Sequence, residues 1–324
     1  MINFEYTRAG SAKSASEARL KQPSSQFIAG GTNLVDLMKK GIIAPERLID
    51  INGLPLKEIK SDAKGVSIGA LVPNSTAAEN ETIKQQFPLL SMALHAGASA
   101  QLRNMATVGG NIMQRTRCSY FYDIHLPCNK RKPGSGCGAL GGYNRMHALF
   151  GASDQCIAVH PSDMCVALAA LNATVVVSGS KGEKKIPFGE FHRLPGNTPE
   201  LDNNLQTGEL ITAVNIPANT FNRSYYLKIR DRLSYAFALV SVAAALEIQN
   251  GIIKKAAIAM GGVAHKPWRL PAVEEFLKDK PVSPALFAEA GNLAMQGAVG
   301  YEHNRYKIKL GKAAITEALT QAAG

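Results

Sequence analysis

The chain has 324 residues, 46% of them apolar and 19% charged, a balance that excludes an intrinsically disordered polymer. At roughly 150 residues per domain there is room for about two, and a chain of this length buries roughly 75% of its unfolded surface without disulfide staples. Lysine and arginine outnumber aspartate and glutamate by 36 to 25, a formal charge of +11. That excess suits a nucleic acid, an anionic cofactor or an acidic partner subunit. No RNP, zinc-knuckle or recognition-helix pattern accompanies it, so nucleic-acid binding is not expected. No apolar run approaches the roughly 18 residues of a membrane span, so no membrane insertion is expected either.

Met1-Ile-Asn-Phe-Glu-Tyr-Thr-Arg enters a strand-like alternation at once. It has no basic segment followed by an apolar one and no twin arginine, so the chain is expected to carry no export signal of its own. The first fifty residues read as strand, helix, strand: Gln26-Phe-Ile-Ala runs into Gly30-Gly31-Thr32-Asn33, helical spacing continues from Leu34 to Gly41, and Arg47-Leu-Ile-Asp-Ile follows. Val66 to Val72 reads as a strand, and Thr82–His95 and Ala96–Met105 as helices. From Gln114 to His160 neither period persists, and so long an irregular stretch is functional or ordered by something else. Ser162–Asn172 resumes as helix, then Ala173–Ser178 and Glu209–Pro217 as strands. A second domain is expected from about Asn222, with strands near Tyr225–Arg230, Ala236–Ile248 and Lys254–Met260, and amphipathic helices from Pro271 onward.

Two glycine segments stand out. Gly30-Gly31-Thr32-Asn33 lies between a strand and a helix, where glycines let backbone amides approach a phosphate. It is neither the dinucleotide fingerprint G-x-G-x-x-G nor a Walker loop, and a plain turn with Thr32 or Asn33 as helix cap fits it equally. Thr107-Val-Gly109-Gly110-Asn111 is a second such loop; together they suit two backbone clamps on one long, doubly phosphorylated ligand.

Of five cysteines, Cys118, Cys128, Cys137 and Cys156 fall within the irregular stretch, spaced C-x9-C-x8-C-x18-C. This is neither a zinc-ribbon nor a ferredoxin spacing, and it leaves open a zinc site, unliganded core cysteines or a 4Fe-4S cluster. A cluster with four thiolates is anionic. Arg115, Arg117, Lys130, Arg131, Lys132 and Arg145 form a basic knot that would suit it, and a metal crosslink would order an otherwise structureless loop. Cys165 sits in an apolar helical run and reads as core. The seven histidines show no metal-ligand spacing, and no nucleophile elbow or catalytic triad is present.

Phe27-Ile-Ala-Gly-Gly-Thr-Asn-Leu, Gln101-Leu-Arg-Asn-Met-Ala-Thr-Val-Gly-Gly-Asn, Lys228-Ile-Arg-Asp-Arg and Met260-Gly-Gly-Val-Ala-His-Lys-Pro-Trp-Arg resemble, in that order, the FAD-binding subunit of the molybdenum hydroxylases, the xanthine dehydrogenase family. With its cysteine loop the chain is most similar to the FAD and iron–sulfur subunit of periplasmic aldehyde oxidoreductases. The resemblance implies an α+β fold: a two-lobed FAD-binding domain of PCMH type over residues 1–218, carrying a cluster-binding loop at 114–160. A smaller antiparallel sheet-plus-helices domain of the carbon monoxide dehydrogenase flavoprotein type would follow over 222–324. It implies FAD held at Phe27, Ile28, Ala29, Gly30, Gly31, Thr32, Asn33 and Leu34 around the pyrophosphate, with Thr107, Gly110 and Asn111 as second clamp. Asp163 would hold the ribityl or adenosine portion, Ile211 would touch the flavin and Lys228 would sit at the ring end. Beside these roles stand plainer ones: Asp163 as helix cap, Ile211 as core, Lys228 as a solvated strand residue. The resemblance also implies a 4Fe-4S cluster on Cys118, Cys128, Cys137 and Cys156. It implies partners as well: a large subunit holding the molybdenum cofactor and a small subunit with 2Fe-2S centres. No catalytic residue is expected here: electrons would pass through FAD to an external acceptor, and the location would be periplasmic if a partner carries a twin-arginine signal. Remaining alternatives are the flavin subunit of another molybdenum hydroxylase acting on xanthine or an aromatic substrate, and a self-contained FAD oxidase.

Overall fold

The structure, a computed structural model, describes residues 1–324. Three short parallel strands open it: β1 (Glu5–Arg8), β2 (Ser25–Ile28) and β3 (Arg47–Asp50), in the order β1-β3-β2. Helices Ala12–Lys21 and Leu34–Lys39 make the crossovers. Ser11 starts the first, its hydroxyl accepting from the Ser14 amide at 3.0 Å while the Ser14 hydroxyl accepts from the Ser11 amide at 3.0 Å. That reciprocal pair satisfies two amides the helix leaves unpaired. The helix had no apolar period to announce it, since only Ala15 and Ser16 are buried along its length.

The second lobe is an antiparallel sheet of β4 (Ile59–Asp62), β5 (Gly65–Gly69), β6 (Thr174–Gly179), β7 (Gly182–Pro187) and β8 (Leu210–Pro217), ordered β4-β5-β8-β6-β7. The helical stretch expected over Thr82–His95 is two helices, Glu81–Gln86 and Pro88–Ala96. Pro88 has no amide to continue the first but suits the opening turn of the second. The helix expected over Ala96–Met105 shortens to Ala100–Met105, because Gly97 is extended and Ala98 is left-handed with φ 51°. Asp163–Ala170 forms a helix buried along its whole length, as its apolar composition requires.

The C-terminal domain pairs β9 (Arg223–Ile229), β10 (Val240–Gln249) and β11 (Ile252–Gly261) antiparallel, with the two-residue β12 (Trp268–Arg269) and β13 (Lys280–Pro281) both on β11. The apolar run that begins at Ala236 becomes strand only from Val240. Period-two alternation divides the work of β10 and β11. Val242, Leu246, Ile258 and Met260 face the helices Pro271–Leu277, Pro284–Ala294 and Tyr306–Ala323. Ala243, Ala245, Ala257 and Ala259 join the core of the first domain. Alanines on that face let the sheet come close to the helix Asp163–Ala170; a leucine there would overpack the junction at about 1–3 kcal/mol. No helix is long and apolar enough to cross a membrane.

Candidate functional site

The glycine segments meet in space. Gly31, at φ +71°, turns the chain out of β2, and a Cβ on Gly30 would stand 1.8 Å from the Met105 carbonyl oxygen. Glycine at both positions is therefore dictated by backbone geometry. The second segment is not a loop but the start of a five-residue helix, Val108–Ile112, whose cap Thr107 accepts from the Gly110 amide at 3.2 Å. Asn33 caps nothing with its side chain; its Oδ1 accepts from the Arg115 amide at 2.9 Å, joining the first glycine turn to the start of the cysteine stretch. Asn111 Oδ1 accepts from the Ser162 hydroxyl at 2.5 Å.

These turns form the waist of a two-chambered cleft. Thr32, Asn33, Ala106 and Gly110 line both chambers. One extends past Phe27, Ala29, Leu34, Thr107 and Ile211, the other past Asn111, Asp163 and Lys228. Ile28 lines neither chamber. The two residues that the resemblance sets against the flavin ring, Ile211 and Lys228, line opposite chambers of the cleft.

Asp163 is the first residue of its helix rather than the cap; Ser162 fills that role, accepting from the Cys165 amide at 3.1 Å. The Asp163 carboxylate accepts from Lys228 Nζ at 2.8 Å and from the Tyr226 hydroxyl at 2.8 Å. Lys228 also donates to the Ala96 carbonyl at 2.9 Å. Both members of the pair are nearly enclosed, at 5% and 6% exposure, so Lys228 is not a solvated strand residue. Burial, then the neighbouring Asp163 charge, pushes the Tyr226 phenol well above its ordinary range. The trio ties β9 to the Asp163 helix and sets a buried ion pair in the wall of the chamber.

The four cysteines converge as well. Cys118, Cys128, Cys137 and Cys156 all line one small cavity. Cys128 and Cys137 face each other across an isolated bridge. Backbone amides already point at the sulfurs: those of Phe121 and Tyr120 at Cys118, and those of Ala139, Ile157 and Leu140 at Cys137. Hydrogen bonding from Cys156 and from these amides draws the Cys137 thiol down to about 6. Its partner Cys156 is pushed up, by that bond and by burial, and burial lifts Cys118 to about 11. Amides aimed at sulfur suit thiolates that carry negative charge onto a metal centre. The donor set is therefore compatible with an all-cysteine iron–sulfur cluster. Two ring nitrogens complete the surroundings: His147 Nε2 stands 3.1 Å from Cys118 Sγ and His265 Nε2 3.3 Å from Cys156 Sγ.

The stretch 114–160 is not held by those cysteines alone, contrary to expectation. Arg131 donates to the carbonyls of Tyr120 and Phe121, both at 2.8 Å. Asn304 and Lys307, from the last helical region, hold the carbonyls of His147 and Ala148. Burial pulls the Lys307 ammonium down to about 7. The basic knot is largely spent in ion pairs: Arg115 and Lys130 with Asp202, Arg117 with Asp36, Arg145 with Asp231. Burial would raise the Asp202 carboxyl, but Lys130 and Arg115 overcome it and hold it below its ordinary value. Cys165 is wholly buried, as expected of a core residue. The fold also brings it within 4.8 Å of ligand atoms of His160 and His192, a grouping no spacing in the sequence announces. Both imidazoles are kept neutral by burial, His192 at about 4 with Nε2 on the Ile112 carbonyl at 3.0 Å, and His160 well below its usual value.

Comparison with known proteins matches this architecture. The profile described as the FAD binding domain in molybdopterin dehydrogenase covers residues 2–219, and that of the CO dehydrogenase flavoprotein C-terminal domain covers 224–322. The chain is 46% identical to the aldehyde oxidoreductase FAD-binding subunit PaoB of Escherichia coli, over 99% of each. It is 29% identical to the glyceraldehyde dehydrogenase medium chain of Sulfolobus acidocaldarius, over 87% of this chain and 84% of that one. Carbon monoxide dehydrogenase from Hydrogenophaga pseudoflava shares the fold with TM-score 0.78 at 23% identity, over 100% of this chain and 99% of that one. With the glycine cleft and the two-domain arrangement in place, these matches assign the chain to the FAD-binding subunits of the molybdenum hydroxylase family of oxidoreductases.

Proposed function

We propose that this chain is the flavin and iron–sulfur subunit of a molybdenum-dependent aldehyde oxidoreductase, relaying electrons from partner subunits to an external acceptor. The observation that carries this reading is the pair of neighbouring sites: a two-chambered cleft closed at its waist by two glycine turns, and a four-cysteine cavity joined to it through Asn33 and Arg115. The names of two relatives, an aldehyde oxidoreductase subunit and a glyceraldehyde dehydrogenase chain, support the substrate class.

FAD, when bound, exchanges electrons singly or in pairs and so suits a junction between one- and two-electron carriers. The chain's own residues do the positioning. The Gly30-Gly31 turn offers backbone amides where the two chambers join, the place for a pyrophosphate, while the Thr107–Asn111 segment borders the same place with the amides of Val108 to Asn111 bonded to Val72, Ala70 and Thr107. Phe27, Ala29, Leu34 and Ile211 give one chamber an apolar wall, while Asp163 and Lys228 give the other a polar, ion-paired one. Cys118, Cys128, Cys137 and Cys156 would hold one 4Fe-4S cluster. None of these groups is arranged as a base to activate an aldehyde. Oxidation is therefore assigned to a molybdenum-bearing large subunit, with a 2Fe-2S small subunit between; the assembled complex would be periplasmic where a partner supplies a twin-arginine signal.

The test is spectroscopic and kinetic. The purified chain should show flavin bands over broad iron–sulfur absorption, bleach with dithionite and stay oxidised with aldehydes until its partners are added. Flavin reduction by an aldehyde in the chain alone would establish a self-contained oxidase instead. Zinc in place of iron would remove the cluster.

A further inference from the structure

We propose that His147 and His265 set the reduction potential of the iron–sulfur cluster, each donating an Nε2–H hydrogen bond to a ligating thiolate, His147 to Cys118 and His265 to Cys156. The proposal rests on the cluster reading above. The separations are 3.1 and 3.3 Å, and the imidazoles are buried at 5% and 8% exposure. A thiolate bound to iron carries no proton, which leaves the hydrogen of each pair on the imidazole. The opposite nitrogen, Nδ1, is buried in both residues and has no protein partner, so nothing else fixes the proton there.

The electrostatic consequence has a definite sign. One-electron reduction adds negative charge to the cluster, and part of it resides on the cysteine sulfurs. A donor aimed at those sulfurs stabilises the reduced state more than the oxidised one and raises the potential. The two donors come from different parts of the molecule. His147 belongs to the cysteine stretch, while His265 follows β11 and reaches Cys156 across 109 positions of sequence. The Tyr306–Ala323 helix reinforces the first, since Lys307 Nζ donates to the carbonyl of His147 at 2.8 Å. The position is one where a potential matters: Cys118 and His147 line a second cavity that runs past Pro161, Ser162 and Asp163, residues that also line the cleft. Cys118 and His147 thus face the cleft side of their loop, where two residues without ligand roles would tune a bound cluster.

The experiment is an EPR-monitored redox titration of the full-length chain, with iron and sulfide measured on each preparation. Phenylalanine replaces each histidine singly and then together, and His265→Gln keeps an N–H donor. The midpoint should move to lower potential in each single variant, move further in the double variant and return toward the parent in His265→Gln. Iron-replete phenylalanine variants that titrate at the parent potential would overturn the proposal while leaving the cluster reading intact. A parent without iron would end both. If the variants fail to hold iron, electron spin echo modulation of the reduced parent labelled with nitrogen-15 histidine decides: weakly coupled imidazole nitrogens are expected, and their absence overturns the proposal.

Discussion

The glycine cleft and the cysteine cavity are built on opposite principles. The cleft is made of backbone: Gly30 lies against the Met105 carbonyl, Gly31 is left-handed, and the Thr107 hydroxyl is turned inward onto the Gly110 amide. Its specification is local, a few consecutive residues at each turn. The cavity is made of side chains on an irregular stretch, and that stretch is fastened by distant groups: Asp202 on Arg115 and Lys130, Asn304 and Lys307 on the carbonyls of His147 and Ala148, His265 on Cys156. A backbone site fails when a single Cβ is added; a side-chain site fails when a ligand or a remote fastening is removed.

The sharpest test of that contrast is Gly30→Val. A side chain 1.8 Å from a carbonyl oxygen cannot be absorbed by rotamer change, so flavin should be lost altogether, with a stability cost above about 3 kcal/mol. Gly31→Val, strained by its positive φ but meeting only side chains, Val35 at 3.2 Å and Ile28 at 3.6 Å, should fold and still lose flavin. Flavin content and urea midpoints separate the two, and a soluble Gly31→Val protein that keeps full flavin would break the backbone account.

Next in size is the proposed cluster. Replacing any one of Cys118, Cys128, Cys137 or Cys156 with alanine should take iron from about four per flavin to near none. Amide exchange should rise between Cys118 and Tyr143 but stay slow at Arg115, Lys130 and His147, where ion pairs and carbonyl bonds persist. Uniform loosening of the whole stretch would show that the cluster alone orders it.

Acid should separate the regions as well. His147 and His192 are held down to about 4, His265 to about 3, and His160 also well below its usual value, all by burial. Unfolded, each takes up a proton below about pH 6.5, whereas the folded rings stay neutral. Stability is therefore unaffected by them above about pH 6.5 and falls as pH drops toward 4. Four protons would give a slope of roughly 5 kcal/mol per pH unit near pH 5. Two of the four rings touch the sulfurs of Cys118 and Cys156, so iron held by the proposed cluster should leave before flavin in an acid titration followed by absorbance; the reverse order would contradict this.

Asp202→Asn probes one remote fastening. It strands a Lys130 side chain that is only 3% exposed, at a cost of about 2–3 kcal/mol, because the aspartate itself remains a quarter open to water. The Asp202 carboxyl is held below its unfolded value, so its contribution is present above about pH 4 and disappears as pH falls through the folded value. In an Asp202→Asn protein that part of the acid profile should flatten. The smallest effect belongs to Cys165→Ala: roughly 1 kcal/mol of packing with iron unchanged. Loss of iron there would move Cys165 from the core into the metal site.

What the amino-acid sequence determined by itself was what short range can encode. The glycine turns, the apolar strands of both domains, the buried helix around Cys165 and the ordered series of motifs were all legible, because each depends on neighbours a few residues apart. The sequence also marked four cysteines as different from the fifth, through the loss of any period around them. Only the tertiary structure decided the rest. The polar helix Ala12–Lys21 depends on packing that a weak local signal does not reveal. It took three-dimensional structure to set Ile211 and Lys228 in different chambers, to pair Asp163 with both Tyr226 and Lys228, and to spend most of the basic knot on Asp36, Asp202 and Asp231. His265 reached Cys156 in the same way. These are side-chain encounters across tens to more than a hundred residues, settled by how two sheets and their helices close on one another, and no periodicity along the chain carries that information.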